Sequence, residues 1–318
     1  MEIILKVGEN EFAPLLDRGK AVADVNRAFS AQLEMLRDVT NYGTNLIPRS
    51  FGSSDKKLRD VVVIGILLRQ VVAMLDGVEL LASNGAVHAA SLQARSLFEA
   101  SAYIDWILLA DGEKKAIYYY VHNLRRQRRL AQRLQPGSPE ATAFAASMPD
   151  LESLKDPKVI EQAQDDIKNI DRVLSQHEFA VVSKTFDQFA KRRKADPAWY
   201  VPLGMRSVNA VISAVGRSAE YTMFYNPWSE TMHSSNYRQH VRMGKGTVTF
   251  EPLRHLEGFA ALFRLSVTTA LRTYRAILTQ YRDGELRAFS TKYSENWKKA
   301  LMEVPTIKYQ VTTNIPVP

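Results

Sequence analysis

The chain has 318 residues, 46% of them hydrophobic, and a net charge of +8 from 42 Lys and Arg against 34 Asp and Glu. It contains no cysteine, which excludes disulfides, thiolate-bound zinc and a cysteine nucleophile, and points to a reducing compartment. The apolar share excludes intrinsic disorder, and the charge permits, without requiring, association with RNA or another polyanion.

The opening MEIILKVGENEF lacks the basic leader and small-residue cleavage site of a signal peptide, and residues 2–7 suit an extended segment. Apolar residues then recur at helical spacing almost throughout. A helix is expected from about 12 to 40, ending near Asn41-Tyr42-Gly43, with a loop over 45–54 (NLIPRSFGSS). Ser54 or Asp55 can cap a second helix that runs to Ser83, where Ser83-Asn84-Gly85 is a stop signal. Its apolar run at 61–75 is interrupted by Arg69 and Gln70. The run is shorter than the roughly 20 residues that span a bilayer. A buried core helix is therefore expected, in a cytoplasmic chain with no membrane partner.

The next helices are expected at about 86–110 and 113–134, bounded by Asp111-Gly112 and Pro136-Gly137. Pro136, Pro139, Pro149 and Pro157 make 135–157 an irregular surface connection with room for one short helix. Helices resume over 158–193 and 205–233, and VRM-Gly244-Lys245-Gly246-TVTF reads as a small hairpin. Helices at 252–282 and 285–301 and an extended tail over 302–318, lying on the surface or paired with the N-terminal strand, complete the chain. The expected fold is all-α: one domain over 1–318, an antiparallel multi-helix bundle with a minor β-hairpin and extended termini.

Two segments carry candidate chemistry. In HAASLQARSLFEASAYIDW (88–106), steps of seven and four place His88, Leu92, Arg95, Glu99, Tyr103 and Trp106 on one stripe of an otherwise apolar helix. Either Arg95 and Glu99 form an ordinary i,i+4 pair, or they line a polar cavity. In YTMFYNPWSETMHSSNYRQH (221–240), Tyr221 and Tyr225, and Ser229 and His233, are four apart, unless Pro227 bends the helix. His233 near the helix end is placed either to do acid/base work or simply to cap the C-terminus. A Ser229–His233 nucleophile–base dyad is poorly aimed within one helix.

The pairing of ARSLFEASAYIDW with Y-x3-Y-x3-S-x3-H resembles a bacterial helical family known only as a domain of unknown function, with an R-x3-E helix and an S-x3-H helix end. The resemblance covers about 88–106 and 221–260. It marks Arg95, Glu99, Ser229 and His233 as site residues, and His88 and Tyr225 more weakly. That family is similar in turn to HEPN proteins, helical bundles that include RNA-cutting toxins and phage-defence effectors. The resemblance thus implies a HEPN-like, metal-independent ribonuclease or defence effector. Arg95 would stabilise phosphate charge, His233 would act as acid/base and Glu99 would orient either of them. The HEPN signature, Arg followed by four to six residues and His, occurs literally only at Arg172–His177, outside both segments.

The spacing of His233, His240 and His255, with Glu251 as an oxygen donor, is not that of a zinc site, and no glycine-rich nucleotide loop is present. No metal or cofactor is implied. Arg125, Arg129 and Arg133 form a stripe that either tracks nucleic-acid phosphates or is a solvated helix face, with Arg126 and Arg128 beside it. Lys191, Arg192, Arg193 and Lys194 form a second basic cluster. Two readings stand beside the nuclease. One is a non-catalytic ligand-sensing or protein-interaction module whose cavity, with Tyr103 and Tyr225 in its lining, holds a small ligand. The other is a structural or homodimeric module with an internal polar network.

Overall fold

The computed structural model describes residues 16–148, 156–193, 196–233, 241–244, 247–250, 253–254 and 256–307. The described residues are almost entirely helical, as the periodicity requires. The N-terminal strand expected at 2–7, the tail beyond 307, and His240, Glu251 and His255 lie outside them. The chain forms two compact units, one from Met1–Lys56, Val63–Leu108 and Ile212–Pro318, the other from Lys57–Val62 and Leu109–Val211.

The first unit opens with α1, Arg18–Gly52. It starts later than the periodicity alone suggests because the Asp17 carboxylate accepts from the Lys20 N–H at 2.8 Å and caps it there. It also runs through the expected stop at Gly43 and the expected loop at 45–54. A Cβ at Gly43 would collide with the Tyr274 hydroxyl and Val72, so this glycine permits close helix packing instead of ending the helix. Pro48 is carried inside the helix, where Leu46 and Ser50 on either side of it are buried.

The helix Leu58–Ser83 (α2) contains an eight-residue π segment, Val61–Leu68. It is long and apolar enough to cross a membrane by length and composition alone, and half of its most apolar window is buried inside the protein. Gly85, at φ +73°, turns the chain into α3, Val87–Leu108. Ala90, Ala94, Leu97, Phe98, Ile104 and Ile107 bury the apolar side of α3. It packs against α2 and against α10, Phe259–Tyr281.

A last helix over 286–302 is stapled to α1. Trp297 Nε1 donates to Asp38 at 2.7 Å, and Gln32 Nε2 donates to the Ala300 and Glu303 carbonyls, both at 3.0 Å. Two four-residue strands, β1 Val241–Gly244 and β2 Thr247–Phe250, pair antiparallel with Val241 opposite Phe250.

In the second unit, α4 (Gly112–Gln132), α6 (Pro157–Leu174) and α7 (His177–Arg193) bury Val121, Phe179, Val182 and Phe186. The proline-rich connection contains α5, Pro139–Ser147, capped by Ser138, whose hydroxyl accepts from the Ala141 N–H at 2.9 Å. Arg128 ties α4 to α6 through a two-pronged pair with Asp171 at 2.6 and 3.2 Å.

Candidate functional site

The expected helix over 205–233 is broken. Its first part is α8, Val208–Ala214, and its last part, α9, runs without interruption over 218–232 and has a π turn at Tyr221–Tyr225. Pro227 has no N–H to offer the Met223 carbonyl, and the wider turn precedes it, with the Asn226 N–H reaching back to the Tyr221 carbonyl. Tyr221 and Tyr225 stack with ring centroids 5.0 Å apart, and Tyr225 is buried. Residues 225, 229 and 232 face the polar stripe of α3.

The structure brings Arg95, Glu99, Tyr103, Tyr225 and Ser229 together. Arg95 Nε donates to Ser229 Oγ at 2.9 Å, and its Nη2 donates to the Tyr225 hydroxyl at 2.7 Å. The same guanidinium carbon lies 4.4 Å from the Tyr225 ring centroid. Its third arm, Nη1, meets the Met232 sulfur at 3.6 Å, a weak acceptor. Glu99 accepts from the Tyr225 and Tyr103 hydroxyls, both at 2.8 Å.

Arg95 and Glu99 therefore do not pair directly. The Tyr225 hydroxyl stands between them, accepting from one and donating to the other. Burial, followed by the charge and hydrogen bond of Glu99, pushes the Tyr225 hydroxyl well above its usual range, with Arg95 opposing. The hydroxyl stays protonated at any ordinary pH. Arg95 forms no ion pair among the described residues, and both it and Glu99 are half-buried.

His233 is not drawn into this network. Its imidazole is exposed, and it makes no hydrogen bond to Arg95 or Glu99. What it contributes is backbone: as the residue capping α9, it donates its N–H to the Ser229 carbonyl at 3.1 Å. The Ser229 hydroxyl in turn donates to the Tyr225 carbonyl at 3.0 Å, so the two side chains form no dyad. His88, in the first turn of α3, is not among the partners of Arg95; its carbonyl accepts from Ser91. Arg172 lies in the last turn of α6 and His177 opens α7, both exposed.

A second charged cluster gathers around Arg217, which precedes α9, with partners on α3 and α10, and it is unmarked by any sequence motif. Arg217 is 1% exposed. Its Nε donates to Glu220 at 2.5 Å and its Nη1 to Ser101 at 2.8 Å, with Asp105 at 3.5 Å. Its guanidinium sits 4.3 Å from the Phe98 centroid, and Arg272 reaches Asp105 at 3.1 Å from the other side. Burial raises Asp105 above the usual carboxylate range even though Arg217 and Arg272 pull it down. Phe98 also packs its ring against Tyr225 at 6.1 Å, so one aromatic side chain contacts both clusters.

In the second unit, the arginine stripe is partly neutralised. Arg125 meets Asp196 at 3.0 Å and Asp187 at 2.8 Å, and Arg129 meets Asp196 at 2.5 Å. Arg133 lies 5.7 Å over the Phe144 ring, and Arg126 is exposed. Of the second basic cluster, Lys191 is exposed, and the side chains at 192–194 lie outside the described residues.

His122, on α4, is lowered from 6.5 to about 4, first by burial and then by Arg126, with Asp196 opposing. It is half-buried and neutral. A depressed histidine contributes stability that is present above its unfolded pKa and lost on acidification. The second unit should therefore lose stability as pH falls from 6.5 through about 4. His122→Phe should flatten that window in urea titrations; an unchanged acid slope would exclude His122 as its source.

A family model described as "Family of unknown function (DUF5677)" matches residues 60–246, more than half of the chain. No curated protein and no solved structure matches it. The matched stretch contains both halves of the Arg95 network.

Proposed function

The chain belongs to the family of unknown function DUF5677, and from the site itself we propose that it is a HEPN-like helical module that binds a small oxyanion-bearing ligand at Arg95 without transforming it. One observation carries this reading. Arg95 is a half-buried guanidinium held by two hydroxyls and a thioether and, among the described residues, by no carboxylate. Taking such a charge out of water without a directly paired counter-charge is costly, and an incoming carboxylate or phosphate would lower that cost. The ligand oxygen would replace the Met232 sulfur at Nη1, while Ser229 and Tyr225 keep the planar fork aimed. The fully bonded Glu99 fits a positioning role better than a catalytic one. The module would work in the cytoplasm, away from membranes.

Inorganic phosphate should raise the Tm of the wild-type protein, and chloride at equal ionic strength should not. Arg95→Gln should abolish the increment while far-UV circular dichroism is unchanged. An Arg95→Gln protein that keeps the full phosphate response would overturn the assignment.

A second reading rests on His233, which is exposed and immediately follows Met232. A phosphodiester bound at Arg95 Nη1 would lie close to that imidazole, as a metal-independent ribonuclease or phage-defence effector requires. Metal-free RNA cleavage that is lost in His233→Ala with the fold intact would move the function to this reading.

A further inference from the structure

The second unit has a cavity of about 910 Å³ between α4, α5 and α6, within the size range of small-molecule sites. Its walls are mostly apolar, with Leu130, Leu134, Phe144 and Ile170 among them, and Leu130 is 55% exposed on a helix whose outer face is otherwise polar. Two cations lie in its lining: Arg133, packed over Phe144, and Lys158 in the first turn of α6. No ion pair engages either of them among the described residues. One carboxylate, Asp166, also lies in the lining and accepts from Gln162 Nε2 at 2.9 Å, so two cations face one anion. An apolar trough whose lining charges sum to a net positive complements a molecule with a long hydrocarbon body and one negative end.

We infer that this groove binds a free long-chain carboxylate, its chain along Leu130, Leu134, Phe144 and Ile170 and its head group between Arg133 and Lys158. The site is independent of Arg95, which lies in the other unit. A buried methylene contributes roughly a fourfold gain in affinity when fully covered. An open groove should still give at least about fivefold for every two carbons added.

The test is calorimetric titration of the full chain with octanoate, decanoate and dodecanoate below their micellar concentrations, with dodecan-1-ol and acetate as controls. Affinity should climb along the series, acetate should not bind, and dodecan-1-ol should bind at least about tenfold more weakly than dodecanoate. Leu130→Glu, at an exposed position, should abolish dodecanoate binding with the fold retained. Arg133→Glu with Lys158→Glu should weaken it at least about tenfold, and Arg95→Gln should leave it unchanged. No binding of dodecanoate, equal binding of the alcohol, or undiminished binding in Leu130→Glu would each overturn the proposal.

Discussion

Arg217→Ala should be the most damaging single substitution in the first unit, costing about 3–5 kcal/mol, the usual result of removing one partner of a buried charge cluster. The side chain is enclosed, and four groups orient on it: Glu220, Ser101, Asp105 and Thr269. Its removal leaves Asp105 with only Arg272 as a counter-charge, in surroundings that already disfavour its ionised form. It also opens a void against Phe98 and removes a cation–π contact. Arg217→Lys should cost less, because the charge remains, but still measurably, because an ammonium cannot reproduce the planar fork. Urea unfolding followed by far-UV circular dichroism checks this, fitted with separate transitions for the two units. A loss below about 1 kcal/mol would mean that the cluster is solvated in a way its burial contradicts.

Tyr225→Phe should have the second-largest effect, with stability falling by about 2 kcal/mol and phosphate affinity by roughly tenfold. The hydroxyl makes two bonds to charged groups, at 2.7 Å with Arg95 and 2.8 Å with Glu99. Each bond of that kind is worth about 1.5–3 kcal/mol when it cannot be replaced. Here water can reach both half-buried partners, which brings the expected sum down. The affinity loss has a separate origin. Without the hydroxyl between them, Arg95 and Glu99 are free to swing together, and a guanidinium paired with a carboxylate is a poorer anion site. Ser229→Ala should be milder, because the Tyr225 bond still holds Arg95. A Tyr225→Phe protein with wild-type phosphate affinity would show that the hydroxyl merely fills space.

Helical periodicity made the candidate site half legible. The spacing of Arg95 with Glu99, and of Tyr225 with Ser229, places each pair on one face of a helix, and that local geometry is what sequence encodes directly. The order of the parts was not legible. Tyr225 stands between Arg95 and Glu99 across more than a hundred residues of chain, and the direct Arg95–Glu99 pair suggested by i,i+4 spacing does not form. His233 shows the limit from the other side, since an imidazole at a helix end has the same spacing whether it serves chemistry or only its own N–H caps the turn.

Arg217 carried no signal, because a lone arginine in VGRSAE has neither periodicity nor a neighbour to mark it as buried. At Gly43 the signal was ambiguous in kind: the same missing side chain that ends helices also lets two of them meet closely. The basic stripe on α4 was plain in sequence, but its neutralisation by Asp187 and Asp196 depends on tertiary pairing more than fifty residues away. The fold class came through because a run of amphipathic segments has few alternatives, whereas breaks such as the π turn before Pro227 depend on how tertiary contacts settle the backbone.

The staple between α1 and the last helix has a consequence for how the protein is made. The packing around α1 is completed when Trp297 finds Asp38 and the carbonyls of Ala300 and Glu303 find Gln32. The second unit ends at Val211. On a ribosome adding about 5–20 residues per second, the intervening chain takes on the order of ten seconds to appear. Throughout that interval the inserted unit can be complete while α1, which packs on α2, still waits for α10, whose Phe259 stacks on the buried Phe29, and for the helix over 286–302. Part of the apolar face of the nascent α1 therefore stays open to chaperones until α10 and the helix over 286–302 close over it.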